Sequence, residues 1–214
     1  MALGKNNGTE ATVFAEEGGR IDYEGKKIGM WLFLFTELLF FGGMFLLYAV
    51  YRSRYPAEFH SSARDEDLLL GSINTVVLLT SSLTIAIAVS AIRKGNPRLS
   101  SLMQMATILF AGCFLIIKYF EWGAKISKGI YPDSPVLLAQ ERGNILFFSL
   151  YFVMTGIHGL HVLLGIIVIA IMLFYTRRGV IDQDNFAKLE NTGLYWHFVD
   201  IVWIYLFPLF YLIT

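Results

Sequence analysis

Five apolar stretches, each long enough to cross a bilayer, divide this chain and leave little of it free to fold any other way. A helix needs about 20 apolar residues to span the hydrocarbon core. In lipid, every backbone N–H and C=O must find its partner inside the structure, which leaves helices or closed barrels. Long apolar runs without strict alternation read as helices. They lie at about 28–51, 68–92, 99–124, 144–175 and 194–214. The fourth is too long for an upright span, so it must tilt or project into water. Gly95-Asn96-Pro97 stops the second sharply. Pro208 sits near the end of the fifth, where a kink costs little. The expected fold is all-α, an integral membrane bundle of five transmembrane helices over 28–214. A polar segment, 1–27, precedes it on the cytoplasmic side. That segment has no apolar h-region, so the first span is expected to drive insertion without a cleavable signal.

Composition agrees. Of 214 residues, 56% are hydrophobic and 16% charged, against about 45–50% and about 25% in soluble domains. The formal net charge is zero, which gives no electrostatic case for nucleic acid. The single cysteine, Cys113, cannot form an internal disulfide or a two-thiolate metal site. No phosphate-binding glycine loop, nucleophile elbow or Cys-x-x-Cys is present.

Lys and Arg placement sets the expected orientation. With the N-terminus inside, Lys5, Arg20, Lys26, Lys27, Arg93, Lys94, Arg98, Arg177, Arg178 and Lys188 are cytoplasmic. Arg52, Arg54, Arg64, Lys125, Lys128 and Arg142 then lie outside, the smaller set. N-inside and C-outside follows. Trp31, Trp122 and Trp196 near span ends fit interfacial belts.

Ionisable residues inside the spans are costly, and they persist where they have a partner or a task. Glu37 lies well into the first span. It reads either as a proton-carrying site or as a neutral carboxyl hydrogen-bonded across a helix interface. Lys118 and Glu121 stand three apart on the third helix and share a face. They form either a local pair or a snorkelling couple near the headgroups. The fourth span carries Thr155-Gly156-Ile157-His158-Gly159-Leu160-His161-Val162-Leu163-Leu164-Gly165. Its two imidazoles share a face, and its glycines allow close helix approach. Zinc would require further converging ligands, and haem would require a facing histidine at matched depth, for which His197 is the candidate. The plain reading is two histidines satisfied by hydrogen bonds between helices. His197 and Asp200 repeat the spacing on the fifth helix, where a carboxylate would hold the imidazole in one tautomer or keep it charged. In the second span, Asn74, Thr75, Ser81, Ser82 and Thr84 favour close packing.

Two of these runs, Thr155-Gly156-x-His158-Gly159-x-His161-Val162 with Gly165, and Tyr195-Trp196-His197-Phe198-Val199-Asp200-x-Val202-Trp203, stand about 40 residues apart. With Trp31-Leu32-Phe33 through Glu37 to Phe40-Phe41-Gly42, Asn74-Thr75, Ser81-Ser82 and Glu121-Trp122, the chain resembles subunit III of the haem–copper terminal oxidases. The resemblance covers all five spans, roughly 29–212. It implies an accessory subunit without redox metal of its own, with the haems and copper in partner subunits. It implies association with subunits I and II and a small subunit IV, and possible joining of a supercomplex with a cytochrome c reductase such as alternative complex III. It further implies phospholipid bound in a cleft between helices, protection of subunit I during turnover, and support of proton uptake. Glu37 matches the family's carbodiimide-reactive carboxyl. Many members have seven helices, and this chain matches from the third onward, which keeps the parity of the termini. Lys118 stands where a glutamine is common, and the segment Lys125 to Arg142 differs from the family pattern.

The function so implied is that of subunit III in a bacterial proton-pumping cytochrome c oxidase, in the cytoplasmic membrane, with its C-terminus periplasmic. Alternatives are a quinol oxidase, the similar protein associated with nitric oxide reductase, a haem-binding cytochrome, or a small proton-coupled transporter using Glu37, Glu121 and the histidines as a relay.

Overall fold

The computed structural model describes residues 7–64, 66–183 and 185–212, with side chains at 25 and from 27 on. Residues 1–6 of the polar segment, with Lys5, and Ile213 and Thr214 at the end of the fifth predicted span lie outside the described residues, as do the side chains of Arg20 and Lys26. The chain forms helices α1 (Asn7–Arg54), α2 (Pro56–Arg64), α3 (Leu68–Arg93), α4 (Pro97–Ser127), α5 (Pro135–Leu138), α6 (Arg142–Arg177) and α7 (Ala187–Phe207), then a π-helical turn, Pro208–Leu212. Five of these are long and apolar enough to cross a membrane. The described residues divide into two units between Leu39 and Phe40.

Local chemistry sets the ends. Asp67 caps α3, accepting from the Leu69 and Leu70 amides at 3.0 and 3.1 Å. Asn96 caps α4 through the Leu99 amide at 3.1 Å, with Pro97 in the first turn, where a missing N–H costs nothing. Between them Gly95 takes φ 71°, a conformation that a side chain would strain, and this lets α3 reverse into α4 in three residues. Pro208 cannot donate to the carbonyl one turn back, and the helix widens into the π turn from that point. α6 has 36 residues. At ~1.5 Å each it exceeds a hydrocarbon core of about 30 Å, so it must project or tilt.

Within the second unit, α3, α4, α6 and α7 pack together, α3 lying along α4 and against α7. The seams are polar. Trp203 Nε1 donates to Thr75 Oγ1 and Trp196 Nε1 to Ser81 Oγ, each at 3.0 Å, tying α7 to α3. Thr84 and Thr107 hydroxyls meet at 2.8 Å between α3 and α4. Gln104 Nε2 donates to Thr176 Oγ1 at 3.1 Å between α4 and α6. Large apolar side chains such as Leu83, Leu109, Ile116, Phe120, Leu163 and Ile167 point outward instead. Polar seams inside and aliphatic surface outside is the arrangement a lipid solvent requires.

Candidate functional site

α4 carries Lys118, Glu121 and Lys125 at i, i+3 and i+7, one face of a helix. All three are buried inside the bundle. Lys118 and Glu121 were open to a snorkelling position near the headgroups. Instead, Lys118 Nζ lies 3.1 and 3.2 Å from the two Glu121 oxygens, with the lysine side chain 9% exposed and the glutamate 3%. Tyr151 of α6 and Tyr211 of the π turn both donate their hydroxyls to Glu121 Oε1. The Lys118 ammonium sits 4.7 Å from the Trp203 ring centre and 5.0 Å from that of Tyr211. Aromatic faces and a carboxylate thus replace the water an ammonium would otherwise hold.

One turn further, Lys125 Nζ meets Glu66 Oε2 at 2.7 Å. Glu66 comes from the connection between α2 and α3, next to the cap residue Asp67. Burial pushes the Glu66 carboxyl up to about 7, against the pull of the Lys125 ammonium. Two carboxyls and two ammoniums therefore share one aromatic-walled interior, with no formal charge left over. Removing water from such ions costs several kcal/mol each, so each side depends on its partner. The cluster can hold four elements together and could store a proton at Glu66.

The remaining predicted residues are not gathered into a single network. His158 is buried, stacked on Trp203 at 5.4 Å and edge-on to Phe114 at 5.6 Å. Neither of its ring nitrogens has a hydrogen-bond partner among the described residues, so aromatic packing holds it where hydrogen bonds between helices were expected. His161 turns its Nδ1 to the Ile157 carbonyl of its own helix at 2.8 Å and packs edge-on to Phe41. His197 Nδ1 is bound by Ser82 of α3 at 2.5 Å, while Asp200, one turn on, is buried facing Ser82. Glu37 belongs to the first unit, half-buried on α1. No group of three or more metal-ligating side chains converges among the described residues.

Glu66, Lys125, Tyr151 and Tyr211 escaped the sequence reading. Lys125 had been counted in an outer loop. Its spacing from Lys118 and Glu121 was the available signal, given that α4 continues to Ser127. Glu66 carried none, because a carboxylate beside a helix start reads as solvated.

Gly165 lets α7 come close to α6: a Cβ there would stand 2.6 Å from Trp196 Cζ3. His158, Gly165, Trp196 and Trp203 thus form one interlocked seam between the two most distinctive sequence runs. A sequence model of the family described as "Cytochrome c oxidase subunit III" matches residues 4–214. The chain belongs to the cytochrome c oxidase subunit III family. It is 30% identical over 207 residues to "Cytochrome c oxidase subunit 3" of Thermostichus vulcanus, covering 96% of each chain. It is 31% identical over 195 residues to "Probable quinol oxidase subunit 3" of Staphylococcus aureus, covering 89% of this chain and 91% of that one. It is also 29% identical to "Heme-copper oxidase subunit I+III" of Aeropyrum pernix, where 94% of this chain spans only 25% of the longer protein. The family is one of helical membrane bundles, which agrees with the five spans and the inverted polarity described above.

Proposed function

We propose that this chain is the accessory subunit III of a bacterial proton-pumping oxidase of the cytochrome c type. It stabilises subunit I during turnover and supports proton uptake, while haems and copper reside in partner subunits. The observation that carries this reading is the family match over nearly the whole chain. The interior supports the accessory role: Lys118 with Glu121 and Lys125 with Glu66 are paired and packed among aromatics, an arrangement suited to holding helices. A relative that carries subunits I and III in one polypeptide supports contact with subunit I. The match to a cytochrome c oxidase subunit 3 over 96% of both chains supports the cytochrome c type. The quinol type is the second reading, favoured by the 31% identity to the Staphylococcus relative. The Lys and Arg distribution supports N-inside topology in the cytoplasmic membrane.

Purification of the tagged chain from its native membrane in mild detergent, with a reduced-minus-oxidised spectrum, tests this. A larger haem-bearing oxidase subunit in the eluate is the expected result, and oxidation of added cytochrome c or quinol assigns the type. A haem-free chain recovered alone would overturn the proposal.

A further inference from the structure

Three buried polar side chains, each from a different helix, have no protein partner. Asn74 of α3 and His158 of α6 are 0% exposed, and Asp200 of α7 is 3% exposed. Neither polar atom of the Asn74 amide, neither ring nitrogen of His158 and neither carboxyl oxygen of Asp200 has a hydrogen-bond partner among the described residues. Asp200 faces Ser82, but that hydroxyl is engaged by His197 Nδ1 at 2.5 Å.

Trp203 relates the three to one another. Its ring stacks on His158 at 5.4 Å, and its Nε1 donates at 3.0 Å to Thr75, the residue after Asn74. Asp200 stands three residues before it on α7, a spacing that shares a helix face. Register places Asn74 at the same depth. Thr84 meets Thr107 at 2.8 Å where α3 runs back along α4. Equal steps from that contact bring Asn74 level with the stretch from Phe114 to Lys118. Phe114 packs edge-on to both His158 and Trp203, at 5.6 and 4.9 Å, and the Lys118 ammonium lies over the Trp203 ring. The three unmet groups thus lie within about one helical turn of a single indole.

An amide, an imidazole and a carboxyl together call for a ligand that both donates and accepts. An anion would meet the Asp200 carboxyl. A metal ion would need converging ligands, which no group of three or more described side chains supplies. Water answers all three. Buried polar groups are hydrogen-bonded in native proteins, by water where protein groups do not reach. Globular proteins hold about one buried water per 27 residues, each typically making about three hydrogen bonds. We propose that Asn74, His158 and Asp200 bind ordered water in a hydrated layer around Trp203. The layer joins α3, α6 and α7 beside the Lys118–Glu121 pair, and it gives His158 its hydrogen bonds between helices through water. The site rests on the packing of α3, α4, α6 and α7 and not on the oxidase reading.

The test is a structure of the full chain, in whatever complex it purifies with, at a resolution that shows ordered water. Water within hydrogen-bond distance of at least two of the three side chains is expected. Two or more of them dry, or bonded to protein groups alone, would overturn the proposal. Stability separates a wet site from a dry one independently. In a dry core an unmet amide is costly, and Asn74→Leu, close in volume, would raise the melting temperature. Where water joins Asn74 to the other two, the same change strips that water of a partner, and a fall of roughly 2–4 °C is expected. A rise or no change would overturn the proposal. His158→Phe keeps a ring against Trp203, and its loss combined with that of Asn74→Leu should be less than additive, because both act on shared water. Fully additive losses would contradict the shared site. The wild-type structure decides the matter even where a variant is not recovered.

Discussion

Lys125 Nζ lies 2.7 Å from Glu66 Oε2, with the lysine side chain 10% exposed and the glutamate 0%. The pair joins α4 to the short link between α2 and α3, so an ion pair fixes a loop to a membrane helix. Breaking one side should cost more than removing both. Lys125→Met alone should destabilise by about 3–5 kcal/mol, because it strands a buried carboxylate, whereas Glu66→Leu with Lys125→Met should recover most of the loss. Thermal unfolding of the detergent-solubilised protein across this double-mutant cycle checks it. Additive losses would mean the pair does not act as a unit.

The same carboxyl predicts a pH dependence. In the folded protein Glu66 keeps its proton to about 7, against 4.5 for the ordinary group. Between those values the folded state binds more protons than the unfolded state, so this contribution to stability is full below about 4.5 and falls as pH rises to about 7. Its slope is at most about 1.4 kcal/mol per pH unit. Lys125, Lys118 and Glu121 face the group, so the difference between wild type and Glu66→Gln isolates it. The variant's stability should fall less over that range. Parallel curves for the two proteins would contradict the assignment.

Gly165 tests the α6–α7 seam. A methyl group there meets Trp196 at 2.6 and 2.7 Å, and an indole wedged between helices has nowhere to go. Gly165→Ala should destabilise by about 1–3 kcal/mol, as overpacked cores do. Gly112, whose added Cβ meets nothing within 4 Å, is the control and should tolerate alanine. Melting temperatures in matched detergent decide the comparison.

Glu37 is tested by chemistry. Carbodiimide labelling of a single carboxyl in this chain is expected, with Glu37→Gln abolishing the label and leaving the haem spectrum of the complex unaltered. Persistent labelling of the variant would remove Glu37 from that role.

Much of the fold was readable because lipid demands long apolar runs. All five spans appear, and α3 ends at Arg93, one residue beyond the expected end, where Gly95-Asn96-Pro97 forces the turn. The fifth helix begins at Ala187 and not near Leu194, because Lys188, Glu190 and Asn191 interrupt the apolar signal while leaving helix formation unimpaired. The shared face of Lys118 and Glu121 was legible from spacing. Their depth was not, because it depends on Tyr211, which lies 90 residues beyond Glu121 and reaches it only through the turn at Pro208. His158 and Asp200 share this limit: sequence places each on a helix, but the rings against His158 come from α4 and α7 and the hydroxyl facing Asp200 comes from α3.

The accessory role is tested most directly by oxygen consumption of the oxidase complex purified with and without this chain, followed through sustained turnover. The expected result is unchanged haem bands and a retained initial rate without the chain, followed by faster inactivation that adding the chain back prevents. Loss of the haem bands, or a rate that holds equally well in its absence, would contradict it.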